Sequence, residues 1–126
     1  MCASRIPRIL VVSSRIEPAE LAQLVVGRFE GTVRFVVDVD RGLAALGGEQ
    51  HAAAEDLLLE RGSRHDSLWG GYYVPGREPD ACIEHASPIN IRPARGNRTM
   101  LIEDESVRSR VRAIVFKLIG TGEPLS

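Results

Sequence analysis

The fold is decided by residues 32–48, which read TVRFVVDVDRGLAALGG. In the first half of this stretch Val33, Phe35 and Val37 alternate along the chain, so they share one face of a predicted strand. Asp40-Arg41-Gly42 is a turn signal, and the apolar residues 43–46 after it predict a second strand that ends at two glycines. The stretch therefore predicts a β-hairpin.

The segment before the hairpin predicts a strand and a helix. Residues 9–13 are apolar and rich in β-branched side chains, which is typical of a strand buried on both faces at the centre of a sheet. Pro18 then marks a helix start, and Gly27 or Gly31 can end that helix. A right-handed crossover would make the first two strands parallel.

The segment after the hairpin predicts two more helices with strands between them. Residues 49–61 are strong helix formers closed by Gly62, and the last helix begins near Asp104 and stops at Gly120. Strand-like pieces between these helices lie at residues 68–74, 82–86, 89–92 and 99–102. We predict one α+β domain over residues 1–126, with a core at about 9–119 and flexible ends. Its order is β-α-β-β-α-β-β-β-α, with three helices on a mixed, mostly antiparallel sheet.

Composition narrows the class of protein. Among the 126 residues 44% are hydrophobic and 26% are charged, with a net charge of −1, which is typical of a globular domain. This balance argues against a nucleic-acid partner and against an anionic membrane. Cys2 and Cys82 form no metal or redox spacing, and the apolar run near the N-terminus is too short for a signal peptide, so we expect a cytoplasmic protein.

His51 and Glu55 are the first candidate site residues. On a helical wheel both fall within the apolar arc of the second helix, so both are expected to point inward or into a cleft. Their spacing suits a structural acid–imidazole pair, a general acid/base unit or two metal ligands. A buried carboxylate needs a partner, and Arg92 or Arg98 is the candidate. Asp38 either completes this site or serves the adjacent turn.

A loop with three arginines and an indole beside two glycines add further candidates. Residues 92–98 contain three arginines and no acid, which favours an anion such as phosphate or carboxylate, although a solvated loop folded onto Glu55 explains the same residues. Trp69 precedes Gly70 and Gly71, a pattern that permits close approach of a ligand or of a neighbouring element at a bulge.

Three blocks of this sequence resemble a known family. They read Gly47-Gly48-x-x-His51-Ala52-x-x-Glu55, then Leu68-Trp69-Gly70, then Ile89-Asn90-Ile91-Arg92-Pro93 through Gly96-Asn97-Arg98. In this order they resemble a family of small bacterial proteins of unknown function, over roughly residues 9–119. The resemblance implies no reaction, substrate or cofactor. His85 and Pro88 depart from the pattern of that family.

Two functional hypotheses follow. In the first, the site residues bind or act on a small anionic or phosphorylated compound, with His51 as acid/base, Glu55 as the group that orients it and the arginines as anion clamp. The full set is Asp38, His51, Glu55, Trp69, Arg92, Asn97 and Arg98. In the second, this polar set only fixes the fold of a non-enzymatic module that binds a protein partner or a second copy of itself. We assign no cofactor and no metal ligand.

Overall fold

The predicted hairpin lies in the middle of a five-stranded sheet. The structure is a computed structural model that describes residues 9–25 and 31–125. Within those ranges the strands are β1 Ile9–Val12, β2 Val33–Asp38, β3 Leu43–Gly47, β4 Leu68–Tyr73 and β5 Ile83–Glu84, and the α-helices are α1 Pro18–Leu24, α2 His51–Glu60 and α3 Glu105–Leu118. The α+β fold and the order of its elements are confirmed.

The strands lie in the spatial order β1-β3-β2-β4-β5, and every neighbouring pair is antiparallel. β1 and β2 run in the same direction, as a crossover requires, but β3 lies between them. The central position predicted for β1 is wrong, because β1 is an edge strand. The physical reason is local: β3 folds back along β2 through a short turn and pairs with β1 on its other side, for example at Val11 and Ala45.

The sheet carries an apolar layer on each face. Val33, Phe35 and Val37 pack against α1 and α3, whereas Val36 packs with Ala54 and Leu58 of α2 on the other face. All six residues of β2 are buried, as expected for a central strand covered on both sides. The alternation read from residues 32–48 thus assigns each side chain to its layer.

The strand predicted at residues 89–92 does not form. Residues 88–90 form a short 3₁₀ helix in which the Ile89 amide donates to the Ser87 hydroxyl. Residues 99–102 contribute one antiparallel bridge, between Leu101 and Ala86. Pro88 explains the difference, because it has no amide hydrogen for a strand ladder and suits the first turn of a helix.

The start of α3 and the end of α2 agree with the sequence signals, whereas α1 ends before either glycine that was expected to end it. The Asp104 carboxylate accepts from the amides of Ser106 and Val107 at the start of α3. Gly62 follows α2 with a positive φ of 98°. α1 ends at Leu24, and Gly27, Cys2 and the predicted flexible N-terminus lie outside the described residues. None of the helices in the described ranges has the length and apolarity needed to span a membrane.

Gly70 and Gly71 admit neighbouring elements rather than a ligand. A Cβ at Gly71 would lie 2.5 Å from the Glu84 carbonyl oxygen and 2.6 Å from Cζ of Phe35. A Cβ at Gly70 would lie 2.8 Å from Oγ of Ser87. The register from Val33 opposite Tyr73 to Asp38 opposite Leu68 is continuous, so close packing occurs here without a bulge.

Gly71→Ala is expected to lower the free energy of unfolding by about 1–3 kcal/mol, the usual range for overpacking. One of the clashing atoms is a backbone oxygen of β5, which cannot rotate away. Urea denaturation monitored by circular dichroism measures the loss. Unchanged stability would mean that β5 moves freely relative to β4.

Candidate functional site

On the edge of β4 that faces away from β2, side chains bond to the backbone groups that a further strand would otherwise pair. Oδ1 of Asn90 accepts from the Gly70 amide at 2.9 Å, and Nδ2 of Asn90 donates to the Gly70 carbonyl oxygen at 3.0 Å. Two residues along the strand, Nη2 of Arg92 donates to the Leu68 carbonyl oxygen at 2.6 Å. β5 pairs with β4 only at Tyr72 and Tyr73, so these two side chains take the place of a further strand.

Asn97 holds the loop that presents those side chains. Its Nδ2 lies 2.8 Å from the Asn90 carbonyl oxygen, 3.0 Å from that of Thr99 and 2.8 Å from that of Leu101. Its Oδ1 accepts from the Glu103 amide at 2.8 Å. Asn97 is buried, so each polar atom of its amide serves the backbone of its own loop rather than a ligand.

Glu55 finds its counter-charge in Arg92, one of the two predicted partners. Oε2 of Glu55 lies 3.5 Å from Nη2 of Arg92 and 3.4 Å from Nε2 of His65. The Arg92 guanidinium lies 4.8 Å from the centre of the Trp69 ring. Burial lowers the pKa of Arg92, and the charge of Glu55 opposes that shift. The other predicted partner, Arg98, is exposed, and its backbone amide donates to Glu103.

The structure therefore divides the predicted site. Glu55, Trp69, Arg92 and Asn97 belong to the loop and its attachment to β4. Oδ1 of Asp38 accepts from the amides of Asp40 and Arg41 at 2.9 and 3.0 Å, which is turn chemistry.

His51 has a different hydrogen-bond partner from the members of this set. Its Nε2 lies 2.8 Å from the Gly71 carbonyl oxygen, so Nε2 donates and Nδ1 carries the lone pair of the neutral ring. Its ring meets that of Tyr72 edge to face, with centres 5.0 Å apart. Burial lowers the pKa of His51, the bond to Gly71 opposes this shift, and the charge of Arg34 adds to it. The orienting group of His51 is thus a backbone carbonyl and not Glu55.

A pocket of about 230 Å³ opens beside His51. We call it the α2 pocket; its lining comprises Arg34, Glu49, Gln50, His51, Ala52, Tyr72, Pro88 and Ile89. Arg34 is 9% exposed, and its Nη1 donates to the Gly48 carbonyl oxygen at 3.1 Å. Its guanidinium lies 5.7 Å from the centre of the Tyr72 ring. The pocket thus contains a buried cation and a buried imidazole.

The N-terminus of α2 lies at the same pocket. Gln50, the residue before the helix, makes no side-chain capping bond, and the first turn contains no acid. The first amides of a helix have no partner within it and carry the positive end of its dipole. The uncapped turn therefore adds positive potential to the part of the pocket lined by Gln50, His51 and Ala52.

Arg34 and Tyr72 were missed as site residues. Arg34 is the charged residue within the apolar run 33–37, and alternation places it on the same face as Val36. A charged residue within a strand that is expected to be buried is the sequence signal that could have identified Arg34. Tyr72 carried no such signal, because its neighbourhood depends on the pairing of β2 with β4.

A second pocket, of about 290 Å³, contains two of the predicted residues. Trp69 and Asn97 line it together with the carboxylates of Glu103 and Asp104. Glu103 accepts from the amides of Arg98 and Thr99, and Asp104 caps α3. Arg95 also lines this pocket, but two carboxylates outnumber its one arginine, so it is less suited to an anion than the α2 pocket is.

A metal site receives no support from the described part of the chain. Within residues 9–25 and 31–125 there is no group of three histidine, cysteine, aspartate or glutamate side chains placed to hold a metal ion. His51 and Glu55 have different partners, as described above.

Comparison with known proteins identifies the family and no activity. The chain belongs to the family described as "Protein of unknown function (DUF5674)", whose model matches residues 10–118. The matched segment includes the blocks from Gly47 to Arg98. No curated protein and no solved structure matches the chain.

Asn90→Asp is expected to destabilise the fold by roughly 3 kcal/mol or more, because a carboxylate cannot donate and would face two carbonyl oxygens, those of Gly70 and Met100. Urea denaturation at pH 7 measures this loss. The matched control is Gln50→Glu, the same amide-to-acid change at an exposed position, with an expected effect within about 0.5 kcal/mol. Equal effects of the two variants would contradict the role given to Asn90.

His51 is expected to titrate below the ordinary histidine pKa of about 6.5. As the pH falls below that value the unfolded chain takes up the proton first, so stability decreases, with a slope of at most about 1.4 kcal/mol per pH unit for one group. His51→Gln should show a shallower decrease. Burial also lowers the pKa of His85, which accounts for part of the remaining slope.

The measurement combines an NMR titration of the imidazole protons with urea denaturation between pH 7.5 and pH 5. A His51 ring that titrates at or above the ordinary value would contradict its burial against β4.

Proposed function

We propose that this member of the family binds a small anionic compound, one that carries a phosphate or a carboxylate, in the α2 pocket. The observation that carries the proposal is the convergence of Arg34, His51 and the uncapped start of α2 on one cavity. The proposal keeps the predicted ligand class and His51, and replaces the other predicted binding residues with Arg34 and the start of α2.

The electrostatics of the pocket favour an anion. The planar guanidinium of Arg34 suits the oxygens of phosphate and carboxylate. Burial strengthens this interaction, because the effective dielectric constant is lower than in water. The Glu49 carboxylate is exposed, so solvent screens its repulsion. A helix N-terminus adds amide donors to the same side of the site.

The size of the pocket limits the ligand. Pockets for drug-sized ligands measure about 300–1,000 Å³. At about 230 Å³ the α2 pocket fits a smaller compound or the charged end of a larger one. Pro88, Ile89 and Tyr72 supply apolar contacts for the uncharged part of such a ligand.

His51 has a defined role in this proposal. Because Nε2 donates to Gly71, the lone pair of Nδ1 accepts a hydrogen bond from a hydroxyl of the ligand, for example the protonated oxygen of hydrogen phosphate. Its lowered pKa keeps the ring neutral at pH 7. The same nitrogen is the group that would remove a proton in a reaction, and we assign binding only.

The test measures binding of inorganic phosphate and of acetate by thermal melting and by amide NMR shifts, at constant ionic strength set with chloride. A ligand that binds only the folded state raises the melting temperature. Arg34→Gln is expected to weaken phosphate binding at least about tenfold, since a hydrogen bond to a charged group is worth ~1.5–3 kcal/mol. Arg95→Gln is the matched control, because Arg95 is half-exposed and pairs with Asp66 outside the pocket.

A second variant tests the proposal in case Arg34→Gln does not fold. Gln50→Glu places a carboxylate at the exposed start of α2, so it should fold as the wild type does and still weaken anion binding. The proposal fails if neither anion shifts the wild type, or if Arg95→Gln weakens binding as much as the two pocket variants.

A further inference from the structure

β1 is apolar at each of its four positions, although it is an edge strand. Leu10 and Val12 pack with the layer of α1 and α3, and Ile9 and Val11 pack with the layer of α2. All four residues are only partly buried, whereas β2 at the centre is fully buried. The strand thus has the composition of a central strand in a position that leaves part of each side chain uncovered.

Apart from its short length of four residues, β1 lacks the devices that usually protect an edge strand. Among the described residues, none pairs with β1 on the side away from β3. The strand contains no charge, no proline and no bulge, and its register with β3 is continuous. Natural edge strands normally carry at least one of these devices, because unpaired backbone groups otherwise recruit another strand.

The opposite side of the sheet shows the contrast. There β5 covers Tyr72, and the side chains of Asn90 and Arg92 satisfy the outward backbone groups of Gly70 and Leu68. The fold thus closes one edge with dedicated side chains and presents the other as an apolar strand.

We propose that the outer edge of β1 pairs antiparallel with β1 of a second copy of this chain, so that two sheets join into one across a two-fold axis. A strand added at this edge must carry apolar side chains on both of its faces, because it extends both apolar layers of the sheet. β1 of a second copy has apolar side chains on both faces. Antiparallel pairing of a strand with its own copy is self-complementary, as the interface of a two-fold dimer requires. In the dimer β1 becomes a central strand, the position that its sequence predicts.

The inference is independent of the anion pocket. It concerns the end of the sheet formed by β1, and none of its four residues lines the α2 pocket. A result that overturns one of the two proposals therefore does not affect the other.

The first experiment is sedimentation equilibrium of the full-length chain over a wide range of concentrations. We expect the mass to rise with concentration from that of one chain to that of two. Val11→Lys should raise the dissociation constant about tenfold or more, because a two-fold interface carries the substitution twice. The matched control is Ile83→Lys, which puts the same charge on β5, a partly buried apolar position at the other end of the sheet, and should leave the dissociation constant unchanged.

The second experiment needs no variant. Hydrogen exchange of the wild type, measured at low and at high protein concentration, should show protection of β1 amides that grows with concentration, while the amides of β5 do not change. A single-chain mass at every concentration overturns the proposal. If the mass stays that of one chain, protected β1 amides would mean that another part of the same chain covers this edge. Unprotected amides would mean that the edge is open to solvent. A dimer weakened equally by both lysine variants also overturns it.

Discussion

The side-chain amide of Asn90 pairs with both backbone groups of Gly70. The attachment of the polar loop after β5 to the sheet depends on this contact. β5 is two residues long and leaves the rest of β4 uncovered. Without Asn90 a buried amide and a buried carbonyl of β4 would have no partner, and the 3₁₀ helix at residues 88–90 would lose its attachment to the sheet. Glycine is required opposite Asn90, because a side chain at position 70 would meet Ser87.

This constraint also gives several of the conspicuous polar residues a structural role. Arg92 and Asn97 flank the same loop. Nη2 of Arg92 donates to the Leu68 carbonyl oxygen of β4, and Nδ2 of Asn97 donates to backbone oxygens of the loop. Glu55 supplies charge to Arg92 from α2. Nε and Nη1 of Arg92 are buried without a hydrogen-bond partner among the described residues, so most of the set, but not all of it, satisfies its own backbone. The α2 pocket lies beside the same 3₁₀ helix, since Pro88 and Ile89 line it together with His51 and Arg34.

Much of the fold could be predicted, because its signals are local. The hairpin at residues 32–48, the Asp104 cap of α3 and the Gly62 end of α2 each depend on residues within a few positions of one another. The inward face of α2 was likewise available from its helical period, and His51 is buried as that period requires. Charge alone limited the predicted partner of Glu55 to Arg92 or Arg98. It could not choose between them, because both lie in one loop.

The sequence by itself determined the class of fold, the order of the elements and the inward side of α2, because propensity, capping and alternation act between near neighbours. Only the tertiary structure decided that β1 is an edge strand, that Asn90 bonds to β4 from 20 residues away, and that Arg34 lines a pocket with His51. Each of these depends on which strands become neighbours. Strand pairing is set by competition between distant segments, and no local pattern records its outcome.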